Sequence, residues 1–258
     1  MNRCHIYIDG TWLFKQCGGI LAQKTFNKNF FLDLGKLNQT VSRILSNIGS
    51  AQTLTLGGLW YYTSIFRNIP DYDKNGNSLA QMKQTSLAKD HVVDSAKKAG
   101  YDTSGAFDVP LQHWMPKRVR EKTYQEKMVD TALVARMVQS CLEFSNDYHV
   151  LVSGDLDMMP AVSLVVPNYL EKVVLLTTHP DQWDPNMQQT SRKLNDFHFK
   201  LGPFYLEDYA VEIMMGEYTY KCSNPGCNKL FSLPRPIPNG QRPFCIDCRQ
   251  NRPSRRYT

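Results

Sequence analysis

The chain has 258 residues, 42% of them hydrophobic and 21% charged, a balance that excludes wholesale disorder and leaves room for one full-sized domain plus an appendage. Its net charge of +6 is uneven: residues 217–258 hold eight Lys/Arg against two Asp/Glu, which leaves 22 of each in residues 1–216. The whole excess sits on the tail and points to a polyanionic partner there.

After Met1-Asn2-Arg3 the apolar stretch Cys4-His5-Ile6-Tyr7-Ile8 is too short for a secretory core, and no apolar run approaches the ~20 residues needed to span a bilayer. The expectation is a cytoplasmic protein with no membrane partner. Its seven cysteines then read as thiols or metal ligands and not as disulfides.

Strand-like runs alternate with helix-like patterns through residue 200, which predicts an α/β fold with a mainly parallel sheet. Cys4 to Ile8 is the first strand. A helix follows from Asp33 to Asn47, with Leu34, Leu37, Val41, Ile44 and Leu45 near 3.6-residue spacing. Thr53 to Tyr62 reads as a strand, Ile65 to Asn77 as turns, and Ser78 to Lys98 as a helix stopped by Gly100. Tyr101 to Val109 is a weaker strand, followed by the basic loop Pro116-Lys117-Arg118-Val119-Arg120. The next helix begins near Asp130 and buries Leu133, Val134, Met137, Val138 and Cys141. The Val150 strand, a helix from Met158 and a strand from Lys172 to Thr177 complete the main run. Thr190 to Asn195 and Phe197 to Leu201 supply a last short helix and strand. Pro203 to Met215 reads as a docking helix, and beyond Gly216 the composition shifts to Cys, Pro and Arg. The expected division is therefore 1–202 for the main domain, 203–216 for the linker helix and 217–258 for a small metal-binding domain.

The stretch that carries most information is Ser153-Gly154-Asp155-Leu156-Asp157-Met158-Met159-Pro160, directly after the apolar Val150-Leu151-Val152. It reads as a buried parallel strand ending in a βα turn, and open α/β sheets carry ligand sites at that carboxyl end. Two acids there can hold a hard cation through oxygen, or one caps the helix while the other is solvated. Asp9 ends the first strand in the same way, and Asp130 opens a helix that the topology can bring to the same rim. Each has a plain alternative: a turn residue for Asp9 and a favourable first-turn charge for Asp130.

These residues resemble a known family. Ile8-Asp9-Gly10-Thr11-Trp12-Leu13, Lys127-Met128-Val129-Asp130 and the Ser153 to Pro160 octapeptide are similar, in order and spacing, to the D-G-x-N-L, K-G-x-D and S-G-D-x-D-F-x-P motifs of NYN domains, the PIN-like nucleases. The likeness covers about residues 4–202, and Thr190 to Phe197 loosely resembles the family's closing segment. It implies a Rossmann-like, three-layer PIN/NYN fold and a metal-dependent endoribonuclease. By match, Asp9, Asp130, Asp155 and Asp157 would bind one or two Mg²⁺ or Mn²⁺ ions, which activate water for in-line phosphodiester hydrolysis. Lys127 would touch phosphate or remain solvated. The chain departs from the pattern at Trp12, where the family has Asn: an indole has one donor and no acceptor, and cannot replace both functions of an amide. Met128 and Met158 replace a small residue and an aromatic, as packing changes. Trp12 is the feature favouring the second reading, a catalytically weak RNA-binding or adaptor protein. A phosphatase or nucleotide hydrolase using the same acids is the third.

The tail adds Cys222-x4-Cys227 and Cys245-x2-Cys248, four thiolates for one tetrahedral, structural Zn²⁺. The segment is too short to build a core, so metal would supply its folding free energy. Arg235, Arg242, Arg249, Arg252, Arg255 and Arg256, interleaved with Phe231, Phe244 and Tyr257, suit a grip on single-stranded or structured RNA, or from Arg249 onward a solubilising end. Lys117, Arg118 and Arg120 form a second candidate phosphate contact.

Four signals are set aside. Asp71 to Gly76 imitates an EF-hand loop but has Met82 where the bidentate Glu belongs, so it reads as a surface turn. The histidines show no helical metal pairing, and Cys4, Cys17 and Cys141 read as buried small residues. Trp60-Tyr61-Tyr62 could line the substrate groove but reads first as strand packing.

Overall fold

The computed structural model describes residues 3–18, 32–48, 54–121, 128–169, 171–179, 199–214, 218–227, 230–233, 237, 242–245 and 248. Within them the chain is α/β. In order, it forms β1 (Arg3–Asp9), α1 (Gly10–Gly18), α2 (Leu34–Ile48), β2 (Thr55–Arg67), α3 (Ala80–Lys98), β3 (Ala106–Pro110), α4 (Met115–Arg120) and α5 (Met128–Glu143). There follow β4 (Tyr148–Val152), a 3-10 turn (Leu156–Met158), α6 (Met159–Tyr169), β5 (Val173–Thr177), β6 (Leu201–Tyr205), a second 3-10 turn (Leu206–Tyr209) and α7 (Ala210–Ile213). The hairpin strands β7 (Tyr218–Lys221) and β8 (Leu230–Leu233) close the described part.

Six strands form one parallel sheet in the order β3-β2-β1-β4-β5-β6. Tyr-His-Val-Leu-Val of β4 and Val-Val-Leu-Leu-Thr of β5 are buried at every position, because both faces of a central parallel strand are covered. Alternation in β1 divides the core. Cys4, Ile6 and Ile8 join Leu34, Leu37, Val41 and Leu45 of α2 on one face, while Tyr7 joins Leu133 and Met137 of α5 and Val162 and Val165 of α6 on the other. The order reverses direction between β1 and β4, so the crevice beyond their carboxyl ends is the topological switch point of the sheet.

Several elements differ from expectation. β2 runs on to Arg67, since Ile65 is buried and Thr63 to Arg67 pair with β3. β3 starts at Ala106, after a turn whose Asp102 side chain accepts from the Ser104 N–H. Residues 116–120 are helical instead of a loop, with Pro116 in the first turn where its missing N–H costs nothing. The expected docking helix from Pro203 is the end of a strand, then a 3-10 turn, then a single helical turn. Pro203 is tolerated because β6 is the sheet edge. The sheet thus extends past residue 202. The segment 190–198 lies outside the described residues. Gly100, at φ +90, ends α3 as expected, with its N–H on Lys97 O and the Tyr101 N–H on Ala96 O.

Asp71 to Gly76 forms a surface turn: Asp73 accepts from the Asn75 and Asn77 backbone, and Asp71 pairs with Lys83. Cys4 and Cys141 are buried, and the Cys17 side chain lies outside the described residues. Trp60 stacks on Tyr7 at 5.0 Å between ring centres, as strand packing. His5 and His149 belong to a buried network at the other end of the sheet. Gly58 N–H donates to His5 Nδ1, leaving Nε2 to donate to Asp147, while Tyr7 OH donates to His149 Nδ1. Among the described residues no helix is long and apolar enough to cross a membrane.

Candidate active site and metal centre

Asp9 is the last residue of β1 and only 1% exposed. Its Oδ1 accepts from the Trp12 backbone N–H at 2.9 Å, which caps α1, and its Oδ2 accepts from Ser153 Oγ at 3.0 Å. Ser153 follows β4, and its Oγ also accepts from the Asp155 N–H at 3.0 Å. One hydroxyl therefore ties the end of β1 to the start of the octapeptide turn. Asp155, half-buried, caps the 3-10 turn by accepting from the Asp157 N–H at 3.1 Å. Asp157 is exposed beside it, and Asp130 lies half-buried in the first turn of α5. The cap and turn roles are thus real for Asp9 and Asp155, and they coexist with placement at the switch-point edge.

Burial pushes the Asp9 carboxyl up to about 6; the negative charge of Asp155 adds to the rise, while the Trp12 and Ser153 hydrogen bonds and Lys15 oppose it. The structure gathers Asp9, Ser153 and Asp155 closely. It does not draw the four aspartates into one shell: among the described residues, the cysteines alone bring three or more candidate ligand atoms within 4.8 Å of one another.

Trp12 is buried in the core, 3% exposed, and its ring lies against Gly154, where a Cβ would meet Trp12 Cζ2 and Nε1 and Thr177 Oγ1 at 2.9 Å. Its Nε1 has no hydrogen-bond partner. The contact to Asp9 comes from the Trp12 main-chain N–H, so this hydrogen bond does not draw on the indole.

The four cysteines form the second centre. Cys227 Sγ and Cys245 Sγ are 3.7 Å apart, near the ~3.8 Å that tetrahedral Zn–S bonds of about 2.3 Å impose and far beyond the ~2.05 Å of a disulfide. The Cys245 N–H donates to Cys222 Sγ at 3.4 Å and Asn224 Nδ2 to Cys248 Sγ at 3.1 Å. Gly226, at φ +83, makes the tight turn of the first knuckle. This cluster can hold a metal such as zinc. It is no detached finger: Cys222, Phe231, Phe244 and Cys245 are buried in the same core cluster as Leu206, Ala210, Ile213 and Met214.

Lys117 and Arg118 stand exposed on α4. The Arg120 side chain, Lys127, Arg235, Arg249, Arg252, Arg255, Arg256 and Tyr257 lie outside the described residues; Arg242 is exposed. Two residues to which the sequence pattern assigns no separate role stand at these places. Ser153 links the acids, and a hydroxyl between a strand end and an Asp was its signal. Trp114, 41% exposed, stacks with Arg118, and a tryptophan just ahead of a basic run was its signal.

No family model matches the chain, and no curated protein matches it. Among solved structures, a protein of unknown function from Vibrio parahaemolyticus aligns with 83% of this chain and 96% of its own length, at 15% identity and a TM-score of 0.45.

Proposed function

We propose that the chain is a cytoplasmic, metal-dependent ribonuclease of PIN/NYN type. RNA phosphodiester bonds would be hydrolysed at the carboxyl edge of the sheet, and the zinc knuckle with its basic tail would help to hold the RNA. The observation that supports this is the link from Asp9 through Ser153 to Asp155 across the ends of the adjacent strands β1 and β4, at the switch point.

The donor set fits a hard cation of the Mg²⁺ class, which keeps several waters and takes one or two carboxylates. Asp155 and the exposed Asp157 would hold the ion, with Asp9 behind them and Asp130 along the rim. Such an ion, when bound, supplies an activated water and charge stabilisation at the phosphate. Asp9, held by the Trp12 N–H, fixes Ser153, and Ser153 in turn fixes the Asp155 backbone. The adaptor reading is favoured by two observations: both Asp9 oxygens are already engaged, and the aspartates share no single shell.

The test is incubation of labelled single-stranded RNA with Mn²⁺ and either the wild type or Asp155→Asn, with bound Mn²⁺ counted by electron paramagnetic resonance. Cleavage and Mn²⁺ binding by the wild type alone are expected. Equal cleavage by both proteins removes the acid edge from the chemistry, and no cleavage by either supports the adaptor.

A further inference from the structure

We propose that Trp114 and Arg118 form a stacking step for an unpaired nucleobase, placed on the β3 side of the acid edge. The inference rests on the nucleic-acid reading above and adds to it a specific contact for the single strand.

The topology fixes where the step stands. β3 runs parallel to the other strands, so its end at Pro110 lies at the carboxyl edge. α5 must return the chain from that edge to the start of β4, so its first turn, with Asp130, lies there too. Trp114 and α4 sit between those two points in the chain. They are anchored from below: Met115 is buried, its N–H donates to Gln112 O at 3.0 Å, and its sulfur accepts from the Gln112 N–H at 3.3 Å. The Leu111 N–H continues the ladder onto Arg67 O. The aromatic ring is thus held at the rim by a fixed backbone, which lowers the ordering cost of stacking something on it.

Of the three described tryptophans, Trp12 is buried and Trp60 lies between Tyr7 and the Arg136 guanidinium, 5.4 Å from its ring centre. Trp114 is the one that presents its ring to solvent, at 41% exposure, with Arg118 Cζ 4.9 Å from the ring centre. Lys117 on the same short helix is 73% exposed and stands 3.9 Å from the Glu121 carboxylate. Residues 114–121 carry three positive charges and one negative.

Charge selects the occupant. A cationic ligand on this ring would face Arg118 and Lys117, and an apolar peptide or lipid would find charges where it needs apolar area. A planar, uncharged base attached to an anionic backbone satisfies both features, the ring through stacking and the cations through phosphate. A base paired inside a duplex has its faces covered, so the step takes single strands.

The test measures binding by the full chain without added divalent cation, using fluorescence anisotropy of a labelled 12-nucleotide oligouridylate. Trp114→Ala should weaken binding about 10-fold, within the range that stacking one base supplies, and Trp114→Phe should restore most of it. Arg118→Gln should weaken binding and reduce the slope of log affinity against log salt by about 0.7. A duplex of the same strand with oligoadenylate should bind the wild type and Trp114→Ala alike. The thermal midpoint of Trp114→Ala, an exposed position, checks that it is folded. Wild-type affinity in Trp114→Ala, equal losses for single strand and duplex, or no binding of the oligonucleotide by the wild type would each overturn the step. Asp155→Asn separates this from the proposed catalysis. Trp114-dependent binding retained in a protein that never cleaves leaves the step standing and removes the nuclease. Cleavage abolished by Asp155→Asn but unchanged in KM by Trp114→Ala does the reverse.

Discussion

Four thiols at the C-terminal end converge on one point, whereas the carboxylates at the sheet edge share no such point, and two of them, Asp9 and Asp155, are bonded to the protein's own N–H and O–H groups. The difference follows from the chemistry of the two ligands. Carboxylates repel one another and cost most when buried without donors, so the fold gives Asp9 a backbone N–H and a hydroxyl and gives Asp155 a capping role. Cysteine is small and only weakly polar, so Cys222 and Cys245 can be packed in one core cluster with Phe231 and Phe244. The thiol site is therefore preformed by packing, while the acid edge is preformed only as far as its hydrogen bonds carry it.

The largest expected effect breaks the first half of that comparison. Cys245 is fully buried and shares its core cluster with residues of α7 and the preceding turn. Cys245→Ser should release the metal and destabilise the chain as a whole by about 4–5 kcal/mol. Native mass spectrometry reads the metal, and denaturant unfolding reads the stability. A detached finger would instead leave the main transition where it was. At the acid edge Asp157→Ala, an exposed change, should stay within about 0.5 kcal/mol in the same assay.

The next effect probes how tightly the acid edge is packed. A methyl group at position 154 would lie 2.9 Å from the Trp12 ring and from Thr177 Oγ1. Gly154→Ala should therefore cost about 2–3 kcal/mol through overpacking, read by thermal unfolding. An unchanged midpoint would mean that the indole has room to move and that the edge is looser than the thiol centre in this respect as well.

The two centres were not equally legible in the sequence. The cysteine spacing is local, two short knuckles whose geometry forces convergence, so four residue positions were enough. The parallel sheet followed from alternation of apolar runs, and Asp9 and Asp155 fell where that alternation ends, but the pairing of β1 with β4 that makes them neighbours is a finding of the structure. What the sequence did not carry was the direction of each carboxylate. That depends on Ser153 Oγ and the Trp12 N–H, contacts made between segments more than 140 residues apart in one case and inside a single helical turn in the other. Trp12 looked like the loss of an amide, yet its backbone serves Asp9 and its ring fills space over Gly154. Pro116 looked like a loop marker and is a first-turn helix residue, because proline suits both. Pro203 looked like the start of a helix and lies on the edge strand.

A smaller effect concerns pH and the polar network at the opposite end of the sheet. Burial, the largest cause, lowers His149 to about 4 from an ordinary 6.5. Its Nδ1 accepts from Tyr7 OH and its Nε2 donates to Phe144 O, so the neutral ring is the one the fold holds. The unfolded chain takes up this proton below pH 6.5 and the folded chain does not until about pH 4. Stability from this group is present above 6.5 and lost on acidification, by about 2 kcal/mol at pH 5. Asp9 acts in the opposite direction. Its folded value of about 6 exceeds the unfolded 3.8, so protonation below pH 6 returns about 1 kcal/mol at pH 5. Denaturant unfolding of the wild type and His149→Gln at pH 7 and pH 5 separates the two. The variant should lose the acid-side fall and gain stability on acidification.

The smallest effect tests whether the acid edge is one electrostatic unit. Burial is the first cause of the raised Asp9 value and the charge of Asp155 is a lesser one. Asp155→Asn removes that charge, keeps an oxygen to accept from the Asp157 N–H, and leaves the Ser153 and Trp12 hydrogen bonds in place. Asp9 should then titrate lower than about 6 but remain above 3.8, a fall of less than about one unit, corresponding to less than about 1.4 kcal/mol. Carbon-13 NMR of the Asp9 carboxyl reads this directly and needs neither metal nor substrate. An unmoved titration would mean that the two strand-end acids do not sense each other and that the edge is two separate caps. A fall to the ordinary carboxylate value would mean that repulsion from Asp155, and not burial, sets Asp9. In that case a cation placed between them would relieve most of the cost, and the edge would stand closer to a preformed metal site than the engaged oxygens of Asp9 imply.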